Sequence, residues 1–106
     1  MSTFDDRERA FESKFAHDAE MQFKAAARRN KLLGLWLAGP LGEADPEAYA
    51  RSVVVADLAE EGDEDVMRKV MADIAAKGAS VTEAEVRAKL VELGAVAKEQ
   101  LLNEIS

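Results

Sequence analysis

Apolar residues recur along this chain at intervals of three and four, the period of helices that bury one face. The clearest run is Val86, Leu90, Leu93, Ala97 and Leu101. Thr82 precedes it with Glu85 three residues on, a capping box in which each side chain satisfies the other's backbone N–H. Val81 and Val86 stand at the spacing of a hydrophobic staple. A helix is expected from Thr82 nearly to Ile105. Val66, Val70 and Ile74 mark a shorter helix, entered through Asp63-Glu64-Asp65, whose charges suit a helix N-terminus, and closed at Gly78. Asp45-Pro46-Glu47 puts a capping carboxylate before a proline at the first helical position, where the missing N–H costs nothing. That helix is expected from Pro46 to about Glu61, with Tyr49, Val53 and Ala56 on one side and Gly62 as its stop.

The N-terminal third is organised differently. Phe4, Phe11, Phe15, Ala19, Ala26, Leu33 and Leu37 share one side of a single helical phase, and no proline interrupts residues 4 to 38. A continuous helix of that length would measure about 50 Å, twice the ~25 Å of the two short helices. The bundle cannot cover all of it. Leu32, Leu33, Trp36 and Leu37 make a broad face suited to a core, with Gly39-Pro40 expected to end the helix beside them. The overhang therefore falls at the front. Asp18 can cap a core helix beginning near Ala19, and Ser13, His17 and Asp18 are weak helix formers before it. The expected architecture is all-α, a four-helix bundle over residues 19–106 with a mobile or partly helical N-terminal arm over residues 1–18.

Composition narrows the chemistry. At 106 residues the chain suits one domain, and Ala, Leu, Glu, Lys, Arg and Met dominate over β-branched and aromatic residues. There is no cysteine, hence no disulfide, thiol nucleophile or cysteine zinc site, which fits a reducing compartment. The first residues lack an apolar stretch of the secretory kind, and the longest apolar run, Leu32 to Leu41, falls far short of the ~20 residues that span a bilayer. A cytoplasmic location and no membrane insertion are expected. The net charge of −7 is unevenly placed: residues 1–31 hold seven Lys/Arg against six Asp/Glu, and residues 32–106 hold seven against fifteen. The acidic part should repel nucleic acid, which is not expected as a partner.

All four phenylalanines lie within the first 23 residues. Phe4, Phe11 and Phe15, at i, i+7 and i+11, either fold back on the chain's own core or anchor a helix in a partner's groove. Around them Asp5, Asp6, Arg7, Glu8, Arg9, Glu12 and Lys14 supply mixed charge that either pairs within the segment or sets docking register. Lys24, Arg28 and Lys31, with Arg29 adjacent, form the one basic cluster; they are the candidates for weak contact with a phosphate or with ADP or ATP, but no Gly-rich phosphate loop accompanies them, and a salt-bridged face is the plainer reading. His17 is the sole histidine, no Ser/His/Asp set appears, and the acidic run from Glu60 to Asp65 lacks the alternating ligands of a calcium loop. Neither catalysis, a metal nor a cofactor is expected.

The stretches FDDRERAFESKFAHDAEMQFKA (4–25), ARRNKLLGLW (27–36) and GDEDVMRKV (62–70) resemble the zeta-subunit family of α-proteobacterial ATP synthase inhibitors. The resemblance implies a four-helix domain with an N-terminal inhibitory segment that enters an interface between α and β subunits of the ATP synthase head, reaches toward γ and blocks rotation in the hydrolytic direction. Carried onto this chain, it places Phe4, Arg7, Glu8, Phe11, Glu12, Lys14 and Phe15 in the inhibitory element, and the protein at the inner face of the membrane through the synthase. Leu37-Ala38-Gly39-Pro40-Leu41-Gly42 departs from the family pattern, in a way expected to break the helix sooner. The alternative function is a structural or adaptor bundle that self-associates through the Phe stripe; a nucleotide-responsive sensor using Lys24, Arg28 and Lys31 is a third.

Overall fold

The computed structural model describes residues 19–57 and 63–105, which form four helices and no strand: α1 Ala19–Leu41, α2 Pro46–Asp57, α3 Glu64–Lys77 and α4 Glu83–Ile105. The all-α, four-helix expectation holds. The expected arm, residues 1–18, lies outside the described residues, as do 58–62, into which α2 is expected to continue as far as Glu61.

The starts of α2 and α4 are built as their sequences require. Asp45 Oδ1 accepts the N–H of Ala48 at 3.1 Å, capping α2 around Pro46. At α4 the capping box closes: Glu85 N–H donates to Thr82 Oγ1 at 3.2 Å, and Thr82 N–H donates to Glu85 Oε1 at 3.3 Å. Asp63 precedes α3 but gives it no side-chain cap; its carboxylate is drawn instead to Arg29, 2.9 Å away.

One boundary differs from expectation. α1 does not stop before Gly39-Pro40 but runs through both to Leu41. Proline there forfeits a single helical bond, to the Trp36 carbonyl, one turn from the end where carbonyls lose their partners anyway. The stop comes at Gly42, whose φ of 67° is left-handed; Gly42 N–H donates to Gly39 O and Glu43 N–H to Ala38 O, both at 3.0 Å. Gly78 closes α3 by the same pair of bonds, to Ala75 and Ile74.

The core sits at one end of the molecule. Leu33, Leu37, Ala38 and Leu41 of α1 meet Tyr49 and Val53 of α2, Val66, Met67, Val70 and Ile74 of α3, and Val86 and Leu90 of α4. α1 and α2 approach so closely that a Cβ on Gly34 would stand 2.6 Å from the Cα of Ala50. Tyr49 Oη donates to Asp73 Oδ2 at 2.9 Å, and Lys69 Nζ reaches the same oxygen, tying α2 to α3. Burial, and then Asp73, raise the Tyr49 phenol above its ordinary value. Trp36, expected on the core face, is only partly buried at its margin, with Lys89 Nζ 5.3 Å from its ring.

α1 and α4 each have 23 residues, about 34 Å, whereas α2 has 12 and α3 has 14. The two long helices therefore outrun the short ones. Beyond the core, among the described residues, they pack mainly on each other, antiparallel, through a small cluster of Ala25 and Leu101 flanked by Met21 and Leu102.

Candidate functional site

Phe4, Arg7, Glu8, Phe11, Glu12, Lys14 and Phe15, together with His17, lie outside the described residues. What the structure does place is the helix they lead into and the surface beside it. Phe23 is the one described phenylalanine, and at 59% exposure it takes no part in the core. Among the described residues the core is built of Leu, Val, Ile, Met, Tyr and Ala side chains.

The cations of α1 all have acidic partners on this chain. Lys24 Nζ stands 3.3 Å from Glu20, one turn back. Arg28 pairs with Glu104 near the end of α4. Lys31 reaches Glu47 at 3.9 Å in the first turn of α2. Lys24, Arg28 and Lys31 thus face three different neighbours and do not converge on one point. Exposed pairs of this kind contribute at most ~1 kcal/mol each, so they set register more than stability.

Arg29 is a different case, because its side chain is only 16% exposed. Its Nε and Nη2 donate to Oδ1 of Asn30, at 3.2 and 3.0 Å, and Nη2 also reaches Asp63. Asn30 is wholly buried, which fixes the guanidinium from below. Arg29 is therefore the bolt between α1 and the entry to α3, a role its place beside the basic cluster did not reveal.

Where the short helices stop covering the long pair, a groove of about 460 Å³ opens between α1 and α4. Ala25 and Ala26 form one wall, Leu90, Val91, Gly94 and Ala95 the other. Gln22 and Lys98 stand at the end nearest the start of α1, Arg29 and Asp63 at the core end. Val91 is 77% exposed, the highest among the large apolar side chains described. On α4 the stripe Val91, Gly94, Ala95 and Lys98 follows i, i+3, i+4, i+7 beside the buried stripe. Among the described residues no three His, Cys, Asp or Glu side chains gather as a metal site would need, and no helix is long and apolar enough to cross a membrane.

The described residues form a charged helical bundle whose two long helices run past its core, with every described cation of the first paired within the chain. The sequence profile of the family described as ATPase inhibitor subunit zeta matches residues 1–100, and the chain belongs to that family. No curated protein matches the chain with significance. The family supports a role as an inhibitor of ATP synthase and hence an association with that enzyme.

Proposed function

We propose that residues 1–18 are the inhibitory element, and that they act by entering a catalytic interface between α and β subunits of the F-type ATP synthase head, with γ as a further contact. Phe4, Phe11 and Phe15 are the anchors, and Arg7, Glu8, Glu12 and Lys14 set the register. The observation that carries this reading is the composition of the core: among the described residues it holds no phenylalanine, while the family match extends through the whole segment that contains Phe4, Phe11 and Phe15.

The mechanism needs no reacting group. A rotary head works by cycling its interfaces through open and closed forms, and a helix wedged into one form holds it by the difference between its affinities for the two. Trapping that form in a ratio of 99:1 from an even mixture requires roughly 100-fold preference, about 2.7 kcal/mol. One fully buried phenylalanine supplies roughly 1.5–3 kcal/mol before ordering costs, so two or three anchors are needed and suffice. α1 supplies the rigid base, since its second half is locked in the core. On this reading the protein works in the cytoplasm, at the inner face of the membrane, and is not an enzyme.

The test is ATP hydrolysis by the purified synthase head with the full chain, with a chain lacking residues 1–18, and with the Phe11→Ala/Phe15→Ala double variant. The full chain should inhibit and the other two should not, at unchanged helicity by circular dichroism. Inhibition by the shortened chain would end the proposal.

A further inference from the structure

Phe23 stands on the stripe by which α1 is buried. Seven residues make two turns less about 20°, so Phe23, Asn30 and Leu37 share one side of the helix, with Gly34 and Leu41 beside them. Asn30 and Leu37 are 0% exposed, yet Phe23 is 59% exposed. The difference comes from what lies opposite. α2 runs back along α1 from the contact of Ala50 with Gly34, and at Asp57, its last described residue, it draws level with about Ala27. Past that point the stripe goes on as Ala27, Ala26, Phe23 and Ala19, of which the first two are half-buried and the last two exposed. Glu20 and Lys24, paired at 3.3 Å, border it, so their opposite charges largely cancel at its edge.

Size and place decide what covers this face. One phenylalanine and three alanines offer on the order of 200 Å², against about 800 Å² per partner in a lasting interface. A second copy of the chain could not be held by it. A patch this small can only add to a contact that something else already secures. Phe23 follows Ala19, the first described residue, by one turn, so a partner that receives residues 1–18 is brought within reach of it. We propose that Ala19, Phe23, Ala26 and Ala27 form a second contact with the ATP synthase head, set against an apolar patch of the α or β subunit at the edge of the interface that receives residues 1–18. This rests on the reading of residues 1–18 as the inhibitory element and adds what holds the bundle beside it. Phe23 is carried by a helix whose other end is locked in the core, so seating it costs little ordering beyond its own rotamer. With the bundle already tethered, even a weak contact forms at high effective concentration and slows departure. Residues 1–18 then set whether rotation stops, and the Phe23 face sets how long the inhibitor stays.

Titrating ATP hydrolysis by the purified synthase head with the full chain and its variants tests this. Phe23→Ala should raise the half-inhibiting concentration about tenfold, mostly through faster dissociation, and leave the inhibited plateau and the helicity unchanged. Val55→Ala trims a side chain of similar exposure, 62%, from α2 and should move neither. A half-inhibiting concentration unmoved by Phe23→Ala, or moved equally by Val55→Ala, overturns the proposal. So does a reduced plateau, which would put Phe23 in the inhibitory element itself. Photoreactive benzoylphenylalanine in place of Phe23 gives a readout that needs no change in affinity: on irradiation with the head it should cross-link to α or β, whereas in place of Val55 it should not. No adduct from position 23, or an adduct with a second copy of the chain, overturns the second contact as well. The two readings fail separately: inhibition by a chain lacking residues 1–18 removes the assignment of the inhibitory element, whereas loss of inhibition in that chain, with Phe23→Ala as potent as the wild type, removes only the Phe23 contact.

Discussion

At the scale of single residues, the interface between α1 and α2 depends on an absence. Gly34 lets the Ala50 backbone come within the space a methyl group would occupy, and a Cβ there would force the helices apart at the centre of the core. Gly34→Ala should therefore destabilise by about 1–3 kcal/mol despite alanine's better helix propensity. Gly39, in the same helix, has nothing within 4 Å of its would-be Cβ, so Gly39→Ala should be neutral or stabilising by up to about 1 kcal/mol. Thermal unfolding of the pair separates packing from propensity, and equal effects would contradict it. Tyr49 offers a second test, since it is the only tyrosine and its phenolate absorbance reports it alone. Its folded pKa is raised, by burial first and by Asp73 next, so the neutral form is what the fold favours. The resulting stabilisation is full below the unfolded value near 10 and is lost as pH rises above it. Native protein at about pH 10.5 should show little phenolate, whereas urea-unfolded protein should be mostly ionised. Tyr49→Phe should cost about 1 kcal/mol at neutral pH, with Asp73 keeping Lys69.

At the scale of elements, the starts and stops were legible because each is a local interaction between neighbours in sequence. Asp45-Pro46, Thr82 with Glu85, and Gly78 specify their ends with side chains or φ angles that do not depend on the rest of the fold. Asp45→Ala should accordingly cost about 1 kcal/mol, readable as a shift in urea midpoint at unchanged m-value. The end of α1 departs from its sequence signal for a physical reason. Gly39-Pro40 reads as a break when proline is treated as a bar to any further helix, yet a proline in the last turn removes only one bond, and the left-handed residue at Gly42 decides the stop. Trp36 departs in another way: size and polarity put it on the core face, but only packing against α4 determines that it lies at the rim under Lys89. The groove was harder still. Its walls are two small-residue stripes from helices far apart in sequence, and neither stripe stands out until α1 and α4 are paired.

At the scale of the whole molecule, the four helices divide the bundle into a thick end and a thin end. Residues of α1 from Leu33 to Leu41 are enclosed by three other helices, whereas those from Ala19 to Arg29 rest mainly on α4. Apolar burial is the main force resisting local opening, so protection should follow it. The thin end is held by Ala25, Leu101 and the Arg28–Glu104 pair, and its connection to the thick end runs through Arg29, which binds Asp63 at the start of α3. Amide exchange should therefore be slowest at Leu37, Val70 and Val86 and become faster along α1 toward Ala19 and along α4 toward Leu101. Arg29→Ala removes the bolt and leaves the buried Asn30 side-chain carbonyl without its donor, so it should raise exchange at Gln22 to Ala26 at least about tenfold, corresponding to about 1.4 kcal/mol, with a smaller effect at Val70. Uniform acceleration across both ends would mean that the bundle opens as one unit. A graded response would show that the end of the molecule joined to residues 1–18 can loosen while its base in the core holds.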